Sequence, residues 1–502
     1  MGRILVAGVD TSTQSCKVRV TDAVTGEQVR FGQAMHPTGT EVDPEAWWIA
    51  FRKAAAQAGG LDDVAAIAVG GQQHGMVTLD ETGHVVRDAL LWNDTRSAPQ
   101  ARDLIRRLGQ AQTNPAESNR DSDPCMLGRR RWVKAVGSSP VASLTITKLA
   151  WLAQEEPDHT RRIAAVCLPH DWLTWRIAGH GPAQAEPPAD IGLDALFTDR
   201  SDASGTGYFD PANDSYRRDL LALALPADLA EQVILPRVLG PHEAGGRADP
   251  SIAGKNVAGG CVIAPGGGDN AMTALGLSMD VGDVSLSLGT SGVAAAVSPA
   301  PVYDMSAAVT GFADATGHWL PLACTINASR ILDAGRAALG VDYDGLAELA
   351  DQAEPGAGGI SLIPYFDGER TPDRPDARAR LEGLTLANTR QENLARAFVE
   401  GLLCSQRDCL ELLKHLGARV DRILLVGGGA RSTAVRAYAP AIWGMDVLLP
   451  RIDQYVAIGA ARQAAWTLAD TPEPPAWPVQ IEATLTASPT PAVYAQYARW
   501  RG

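Results

Sequence analysis

The sequence predicts an α/β fold made of two domains. Strand-like runs alternate with helix-like segments along the chain, which is typical of layered α/β folds. A strand–turn–strand pattern occurs at residues 4–21 and again at residues 284–297, once in each half. This repetition is explained either by an internal duplication or by two ordinary hairpins, whose turns commonly contain small residues. A length of 502 residues accommodates roughly two to four domains of the usual size.

The composition excludes several classes of protein. Hydrophobic residues make up 45% of the chain and charged residues 20%, which is ordinary for a globular protein and excludes a disordered one. The net charge of −14 argues against nucleic acid or an anionic membrane as a partner. No apolar run reaches the length of about 18 residues that a membrane span needs. The seven cysteines are scattered without metal-site spacing, so we expect reduced thiols in a cytoplasmic protein.

The two hairpins share one plan. In the first, an apolar run ends at Asp10, residues 11–13 form a turn of small residues, and residues 16–21 alternate as in a half-buried strand. In the second, residues 284–288 alternate in the same way and residues 289–292 form the turn. Each hairpin therefore presents a turn of glycine or small hydroxyl residues at the end of a buried strand.

The other elements follow from hydrophobic periodicity and from the positions of glycine and proline. A glycine-rich segment at residues 266–268 ends the first half of the chain, so we predict a domain boundary near residue 273. The predicted strands are residues 64–69, 257–264 and 422–426, and the predicted helices are residues 44–58, 97–108, 146–153, 391–416 and 492–500.

Four glycine-rich or small-residue turns follow apolar strands, at Thr11, Gly266, Gly289 and Gly427. Glycine lets backbone N–H groups approach a phosphate without an intervening side chain, so four such turns favour a nucleotide-phosphate site. The Walker A motif is absent, because Asn256 stands where that motif requires Ser or Thr. The dinucleotide-binding glycine spacing is also absent after the strands, which disfavours a dehydrogenase.

Two aspartates stand at the ends of strands beside these turns. Asp10 follows the first apolar run and Asp269 follows the glycines at 266–268. One such carboxylate could hold hydrated Mg²⁺, a hard ion that prefers carboxylate oxygen and water, while the other accepts a proton. The structural alternative is that each aspartate merely starts a turn or caps a helix.

Two polar segments combine groups that suit a polyhydroxylated ligand. Residues 72–75 read Gln-Gln-His-Gly and residues 92–96 read Trp-Asn-Asp-Thr-Arg. Amide, imidazole and carboxylate groups can bond sugar hydroxyls, and an indole ring can pack on the C–H face of a sugar. The structural alternatives are a satisfied core histidine at His74 and a helix N-cap within residues 93–94. The basic cluster at residues 129–131 fits a solvated loop or helix face.

Together these motifs resemble the FGGY carbohydrate kinases, and within them the branch that phosphorylates xylulose. The resemblance extends over nearly the whole chain, and its motifs are long and stand in the family's order. The matching segments are residues 10–13, 43–48, 71–75, 91–96, 266–270, 287–292, 365–372 and 427–432.

The resemblance implies an actin-like ATPase fold, of the ribonuclease H-like type, with two α/β domains and an interdomain cleft. It assigns residues 1–272 to an N-terminal domain that binds the sugar and carries the first phosphate turn. It assigns residues 273–502 to a C-terminal nucleotide-binding domain. It also explains why the hairpin occurs twice, because each domain has one phosphate turn.

The resemblance implies roles for single residues as well. Asp269 matches the catalytic base, and Asp10 matches the carboxylate that acts with the metal, here through water. The implied sugar contacts are Gln73, His74, Trp92, Asn93, Asp94 and Asn270. The implied phosphate and nucleotide contacts are Thr11, Ser12, Thr13, Gly289, Thr290, Ser291, Gly428, Gly429 and Ala430. The implied cofactors are ATP and Mg²⁺.

The activity that the resemblance implies is ATP-dependent phosphorylation of D-xylulose to D-xylulose 5-phosphate, with a small ketose and ATP as partners. A sister kinase for ribulose, glycerol or another polyol is the nearest alternative. A non-enzymatic, actin-like sugar sensor is a second alternative, but the retained Asp269 favours an enzyme. A sensor that regulates genes is also expected to carry an added DNA-binding segment. The resemblance is compatible with a homodimer.

Overall fold

The computed structural model describes residues 2–111, 123–182 and 190–501. These residues group into two compact units. The domain boundary near residue 273, with sugar binding before it and nucleotide binding after it, stays a prediction. Unit 1 contains Met1–Ser278, Gly311–His318 and Gln454–Pro478, and unit 2 contains Met279–Thr310, Trp319–Asp453 and Val479–Gly502.

Strands and helices alternate through both units. The strands are β1 Leu5–Thr11, β2 Ser15–Asp22, β3 Gln28–Met35, β4 Glu41–Val42, β5 Val64–Gly71, β6 Val77–Leu79, β7 Ala89–Leu90, β8 Ala165–Cys167, β9 Phe197–Asp199, β10 Phe209–Asp210, β11 Ser215–Tyr216, β12 Arg237–Leu239, β13 Gly246–Arg247, β14 Val262–Ile263, β15 Gly267–Gly268, β16 Asp283–Leu288, β17 Gly292–Ala296, β18 Val309–Ala313, β19 Trp319–Thr325, β20 Ser361–Ile363, β21 Arg380–Glu382, β22 Arg422–Val426, β23 Val447–Pro450 and β24 Ile481–Leu485. The helices are α1 Glu45–Gln57, α2 Ala98–Gln110, α3 Pro124–Val136, α4 Thr145–Glu155, α5 Pro157–Thr160, α6 Pro169–Ile177, α7 Arg200–Ala203, α8 Arg218–Leu221, α9 Ala227–Gln232, α10 Asp269–Gly276, α11 Ser329–Leu339, α12 Tyr343–Asp351, α13 Gln391–His415, α14 Thr433–Trp443, α15 Tyr455–Ala469 and α16 Pro491–Arg501.

Unit 1 is built on a mixed sheet in the order β13-β14-β5-β1-β2-β3, with β15 paired to β5. Strand β1 runs parallel to β5 and antiparallel to β2. Residues Val6 to Thr11 of β1 are all buried, as expected for a central strand covered on both faces. Helix α15 packs directly on this strand, because a side chain at Gly8 would come within 2.0 Å of the Ala457 carbonyl oxygen.

Unit 2 is built on a second mixed sheet in the order β18-β19-β17-β16-β22-β23-β24. Strands β16 and β22 run parallel, and β16 pairs antiparallel with β17 across the second predicted turn. The 25-residue helix α13 is the longest described element, and its apolar face joins the buried core of this unit. The burial of Leu286 with Leu402 and Leu403 illustrates how the helix covers the sheet.

The structure confirms the predicted α/β class and both strand–turn–strand hairpins. The predicted helices at 44–58 and 391–416 agree with α1 and α13 within one residue at each end. The strand predicted over residues 257–264 is wrong for most of its length, because only Val262–Ile263 pairs. Gly259 and Gly260 have φ values of +85° and +74°, a left-handed backbone that a strand cannot adopt. No described helix combines the length and apolar character needed to cross a membrane.

Candidate functional site

Three parallel strands of unit 1 end at the same level and place the candidate side chains at one sheet edge. Asp10 of β1 and Gly267 of β15 are both in register with Gly70 of β5. The chain continues from β5 to Gln73 and from β15 to Asp269. The carboxyl ends of parallel strands form the ligand-binding edge in many α/β sheets. The structure therefore brings Asp10, Gln73 and Asp269 to one edge of the sheet.

Asp10 is a buried carboxylate held by a cation and by its own turn. Its side chain is 3% exposed, and Lys17 Nζ lies 2.9 Å from its Oδ2. The Ser12 backbone N–H donates to Oδ1 at 3.0 Å, and the Ser12 hydroxyl donates to the same oxygen. A carboxylate offers about four lone-pair positions, so these bonds leave room for a water molecule. The arrangement fits a carboxylate that contacts Mg²⁺ through a water molecule of the ion's hydration shell, because Mg²⁺ in proteins usually keeps several of its waters.

Lys17 was missed by the sequence analysis. It stands directly opposite Asp10 in the β1–β2 register. The hairpin was predicted, so counting residue pairs outwards from its turn could have placed an ammonium beside this carboxylate.

Asp269 begins helix α10, directly after strand β15. Burial raises its pKa to about 7, and the negative charges of Asp10 and Asp202 act in the same direction. Hydrogen bonding by backbone N–H groups, including that of Asn270, only partly offsets these effects. A carboxylate with a pKa near the working pH is suited to general-base catalysis, because it is both available and basic.

Asn270 connects Asp269 to the first polar segment. Its Nδ2 donates to Gln73 Oε1 at 2.8 Å and to Asp269 Oδ1 at 3.1 Å. Gln73 is 5% exposed, and a side chain at Gly268 would come within 2.5 Å of Gln73 Nε2. The glycine therefore allows Gln73 to lie against the strand end that carries Asp269.

His74 has a backbone conformation that is unusual for a residue with a side chain. Its φ is +69°, and its ring Nδ1 lies 2.8 Å from the Gly205 carbonyl oxygen. Because a carbonyl only accepts, Nδ1 carries the hydrogen, and Nε2 is the accepting nitrogen of the neutral ring. The ring centroid lies 5.6 Å from that of Phe312.

Trp92 joins the second polar segment to the first turn. Its indole is 47% exposed, and its Nε1 donates to Thr13 Oγ1 at 2.9 Å. Thr13 Oγ1 in turn lies 3.5 Å from Gln72 Oε1. An exposed indole face beside several polar groups suits a ligand with both C–H and hydroxyl surfaces.

Asn93 and Asp94 differ in their surroundings. Asn93 is exposed, whereas Asp94 is buried and accepts hydrogen bonds from the Thr40 hydroxyl at 2.8 Å and from Arg96 Nε at 2.9 Å. Burial alone would raise the pKa of Asp94, but the bonds from Arg96 and Thr40 hold it below its usual value. Both carboxylate oxygens of Asp94 are thus engaged within the protein, and its contact with sugar stays a prediction.

The two predicted turns of unit 2 lie side by side. Ser287 of β16 is in register with Val426 of β22, and the turns at Gly289 and Gly427 follow these strands. A side chain at Gly427 would come within 2.8 Å of the Leu288 carbonyl oxygen, and its φ is +90°. Thr290 and Ser291 are exposed, and Gly428, Gly429 and Ala430 lie in a 3₁₀ turn. Their role as an anion-binding turn stays a prediction.

Comparison of the sequence with known protein families identifies the family of this chain. Residues 5–124 and 127–276 match the FGGY family of carbohydrate kinases, N-terminal domain, and residues 284–468 match its C-terminal domain. The chain belongs to the FGGY family of carbohydrate kinases. The family recognised from the motifs is thereby confirmed, and a family of kinases disfavours the non-enzymatic sensor.

Similar FGGY proteins include several named xylulose kinase. A xylulose kinase of Streptomyces coelicolor is 42% identical over 471 residues, which cover 92% of this chain and 88% of the relative. One of Streptomyces rubiginosus is 42% identical over 479 residues, covering 94% and 89%. The crystal structure of xylulose kinase from Bifidobacterium adolescentis matches with a TM-score of 0.96 and 67% identity over 100% of both chains. The predicted two-domain actin-like α/β fold is confirmed by these matches.

A buried charged cluster behind the site of this FGGY chain was also missed. His170 Nδ1 lies 2.6 Å from Asp202 Oδ2, and Nε2 lies 3.2 Å from Asp171 Oδ1. Burial alone would lower the pKa of His170, but Asp171 and Asp202 raise it to about 9. Burial also raises the pKa of Asp171, to about 7, and that of Asp202. One ligand atom from each of the three side chains lies within 4.8 Å of the others. The three side chains therefore form a buried cluster of interacting titratable groups, and no local motif marks it in the sequence.

The raised pKa of Asp269 predicts a specific effect on stability. A folded-state pKa above the unfolded value stabilises the fold fully at low pH, and this stabilisation is lost as the pH rises from about 4 through 7. Asp269→Asn removes the titration, so we expect the variant's Tm relative to the parent to rise between pH 5 and pH 8. Calorimetric scans across this range measure the difference. A Tm difference that does not change with pH would contradict the buried, pKa-shifted carboxylate.

Proposed function

We propose that this chain transfers the γ-phosphoryl group of ATP to O5 of D-xylulose, forming D-xylulose 5-phosphate and ADP. The observation that carries the proposal is the connection of Asp269, with its raised pKa, through Asn270 to Gln73. It places a proton acceptor beside groups that can bond sugar hydroxyls. The names of the Streptomyces relatives at 42% identity support xylulose as the sugar.

Asp269 acts as the general base in this proposal. It accepts the proton of the O5 hydroxyl while O5 bonds to the γ-phosphorus and the bond from that phosphorus to ADP breaks. The transition state of phosphoryl transfer is loose and highly charged, so catalysis depends on positioning and on charge stabilisation. A base whose pKa is near 7 is ionised in about half of the molecules at neutral pH, and it is more basic than an ordinary carboxylate.

The sugar is held by the polar segments of unit 1. Gln73 and Asn270 offer amide groups beside Asp269, and the His74 ring contacts a hydroxyl of the sugar. The exposed face of Trp92 packs on the C–H face of the ketose, and Asn93 stands next to it in the chain. A site that bonds several hydroxyls discriminates against ligands that lack them, because its buried polar groups are then left unpaired.

The phosphates are bound at the turns, by backbone N–H and hydroxyl groups other than those of Ser12 that donate to Asp10. In unit 1 these are residues 11–13, and in unit 2 they are residues 289–291 and 428–430. Asp10 would hold Mg²⁺ through a bridging water molecule, and the ion would neutralise charge on the phosphate oxygens. The negative net charge does not oppose ATP binding, since these donors act locally. A cytoplasmic location and a homodimer stay predictions.

The test is sugar-dependent release of ADP. Purified protein with ATP and MgCl₂ should release ADP when D-xylulose is added and much less without it. Phosphorus NMR of the product should show one phosphomonoester, on C5. Failure to release ADP with any ketose or polyol would overturn the kinase assignment, and a phosphate on another carbon would overturn the proposed position of O5.

His74 provides a prediction about the sugar site alone. We expect His74→Ala to raise KM for D-xylulose about 5- to 150-fold, because loss of a hydrogen bond in a buried site costs roughly 1–3 kcal/mol. KM for ATP should stay within about twofold. His84→Ala, at an exposed histidine outside the site, is the matched control and should change neither constant. A parallel rise of both constants in His74→Ala would show that the ring does not act on the sugar.

A further inference from the structure

Lys148 of helix α4 is a fully buried lysine that the proposed mechanism does not use. Its exposure is 0%, and its ammonium donates to the carbonyl oxygen of His74 at 3.2 Å and to that of Ser143. The ion pairs found among the described residues include none with Lys148. A buried lysine without a carboxylate partner costs folding free energy, so its position calls for an explanation beyond packing.

The charge state of Lys148 does not decide what it contacts. Burial lowers its pKa to about 7, and the negative charge of Asp94 partly offsets this effect. Both the ammonium and the neutral amine have at least two N–H bonds. Lys148 can therefore donate to both carbonyl oxygens in either form.

Lys148 and two further contacts fix the orientation of His74. The Thr145 hydroxyl also donates to the His74 carbonyl oxygen, at 3.2 Å, so this oxygen accepts from two side chains of α4. The ring is fixed at its other end by the Gly205 carbonyl oxygen. A residue with a φ of +69° persists only where its surroundings determine its conformation strongly. The donors from α4 act on the backbone, where this strain lies.

We propose that Lys148 is a positioning residue for the ketose, an inference that rests on the proposed function. It holds the His74 carbonyl, and so aims the His74 ring at the sugar, without touching the sugar itself. Thr145 assists through the same oxygen. A purely structural lysine would instead support the packing of α4 with no particular effect on His74.

Lys148→Met tests this proposal, because methionine has a similar length and no donor. We expect KM for the best ketose to rise at least fivefold while KM for ATP stays within twofold. In the His74→Ala background, Lys148→Met should raise the sugar KM less than twofold further, since its effect passes through the ring. An increase below fivefold in the single variant, a parallel rise in KM for ATP, or multiplicative effects in the double variant would each overturn the proposal.

Two further variants keep the test decisive. Thr147→Val is the matched control on the same helix, because the Thr147 hydroxyl is buried and donates to the Leu144 carbonyl oxygen rather than to His74. It should leave both KM values within twofold. If Lys148→Met does not fold, Thr145→Val removes the other donor to the same oxygen. It should raise the sugar KM at least threefold and KM for ATP less than twofold; a smaller or unselective effect would overturn the proposal.

The failure of this proposal and that of the proposed function are distinguishable. The variants are measured with the sugar that the parent protein uses best. If the parent protein prefers another ketose, the D-xylulose assignment is wrong, but the variants can still be compared with that ketose as substrate. A parent active on D-xylulose with an unselective Lys148→Met variant would overturn only the role of Lys148.

Discussion

Replacement of Asp269 by Asn is expected to lower kcat by about 10²- to 10⁴-fold, the range that general-base catalysis usually supplies. The substitution keeps the shape of the side chain and removes its ability to accept the O5 proton. Binding of D-xylulose in the absence of nucleotide should be largely retained, since Gln73 and Asn270 are unchanged. Steady-state kinetics and isothermal calorimetry on the same preparation measure the two effects.

The matched control for this variant is Asp280→Asn. Asp280 is an exposed carboxylate shortly after helix α10, so the same chemical change is made outside the site. It should leave kcat within about twofold. A folded Asp269→Asn variant with turnover close to that of the parent would remove Asp269 from the mechanism, whatever the control shows.

The second large effect is expected at Asp10. Asp10→Ala should lower kcat at least about 10²-fold, because the charge stabilisation that a metal ion supplies is worth several kcal/mol. The Mg²⁺ concentration that gives half-maximal activity should rise, since the carboxylate that meets the hydrated ion is lost. Sugar binding without nucleotide should change little. Titration of activity with MgCl₂ and calorimetry with D-xylulose separate these outcomes.

The control for Asp10→Ala lies in the same hairpin. Asp22 is a buried carboxylate at the far end of β2, where it accepts from the Val24 and Thr25 backbone N–H groups. Asp22→Ala should lower the Tm without changing the Mg²⁺ dependence. If Asp10→Ala weakened sugar binding as much as turnover, Asp10 would belong to the sugar site and its assignment to the metal would be wrong.

The fold was predictable where the spacing of hydrophobic residues and the positions of turn-forming residues both indicate the same element. Strand β1 and the turn after Thr11 have both signals, as do β16 and the turn at Gly289, and all four formed where predicted. The segment 257–264 is apolar enough for a strand, but its glycines adopt positive φ values and only two of its residues pair. Single-sequence patterns do not show which apolar run finds a partner, because pairing is decided by the rest of the sheet.

The candidate site was predictable where a motif stands at a strand end. Asp10, Gln73 and Asp269 follow neighbouring parallel strands, so position in sequence translated into position in space. The contacts of Lys148 and His170 were not predictable in this way. Both residues lie on helices, and each has a partner distant in sequence: Asp202 is 32 residues from His170, and His74 is 74 residues from Lys148. Such contacts depend on tertiary packing, which local spacing does not encode.

A substrate panel determines whether D-xylulose is the sugar that this kinase phosphorylates. The panel contains D-xylulose, D-ribulose, L-ribulose, L-xylulose, L-fuculose, glycerol and gluconate, each measured with ATP and MgCl₂. D-xylulose should give the highest kcat/KM. D-ribulose should follow, because it differs from D-xylulose only in the orientation of one hydroxyl. Glycerol should be a poor substrate, because it has only three hydroxyls and leaves buried polar groups of the site unpaired. Another compound with a kcat/KM about tenfold or more above that of D-xylulose would contradict the D-xylulose assignment.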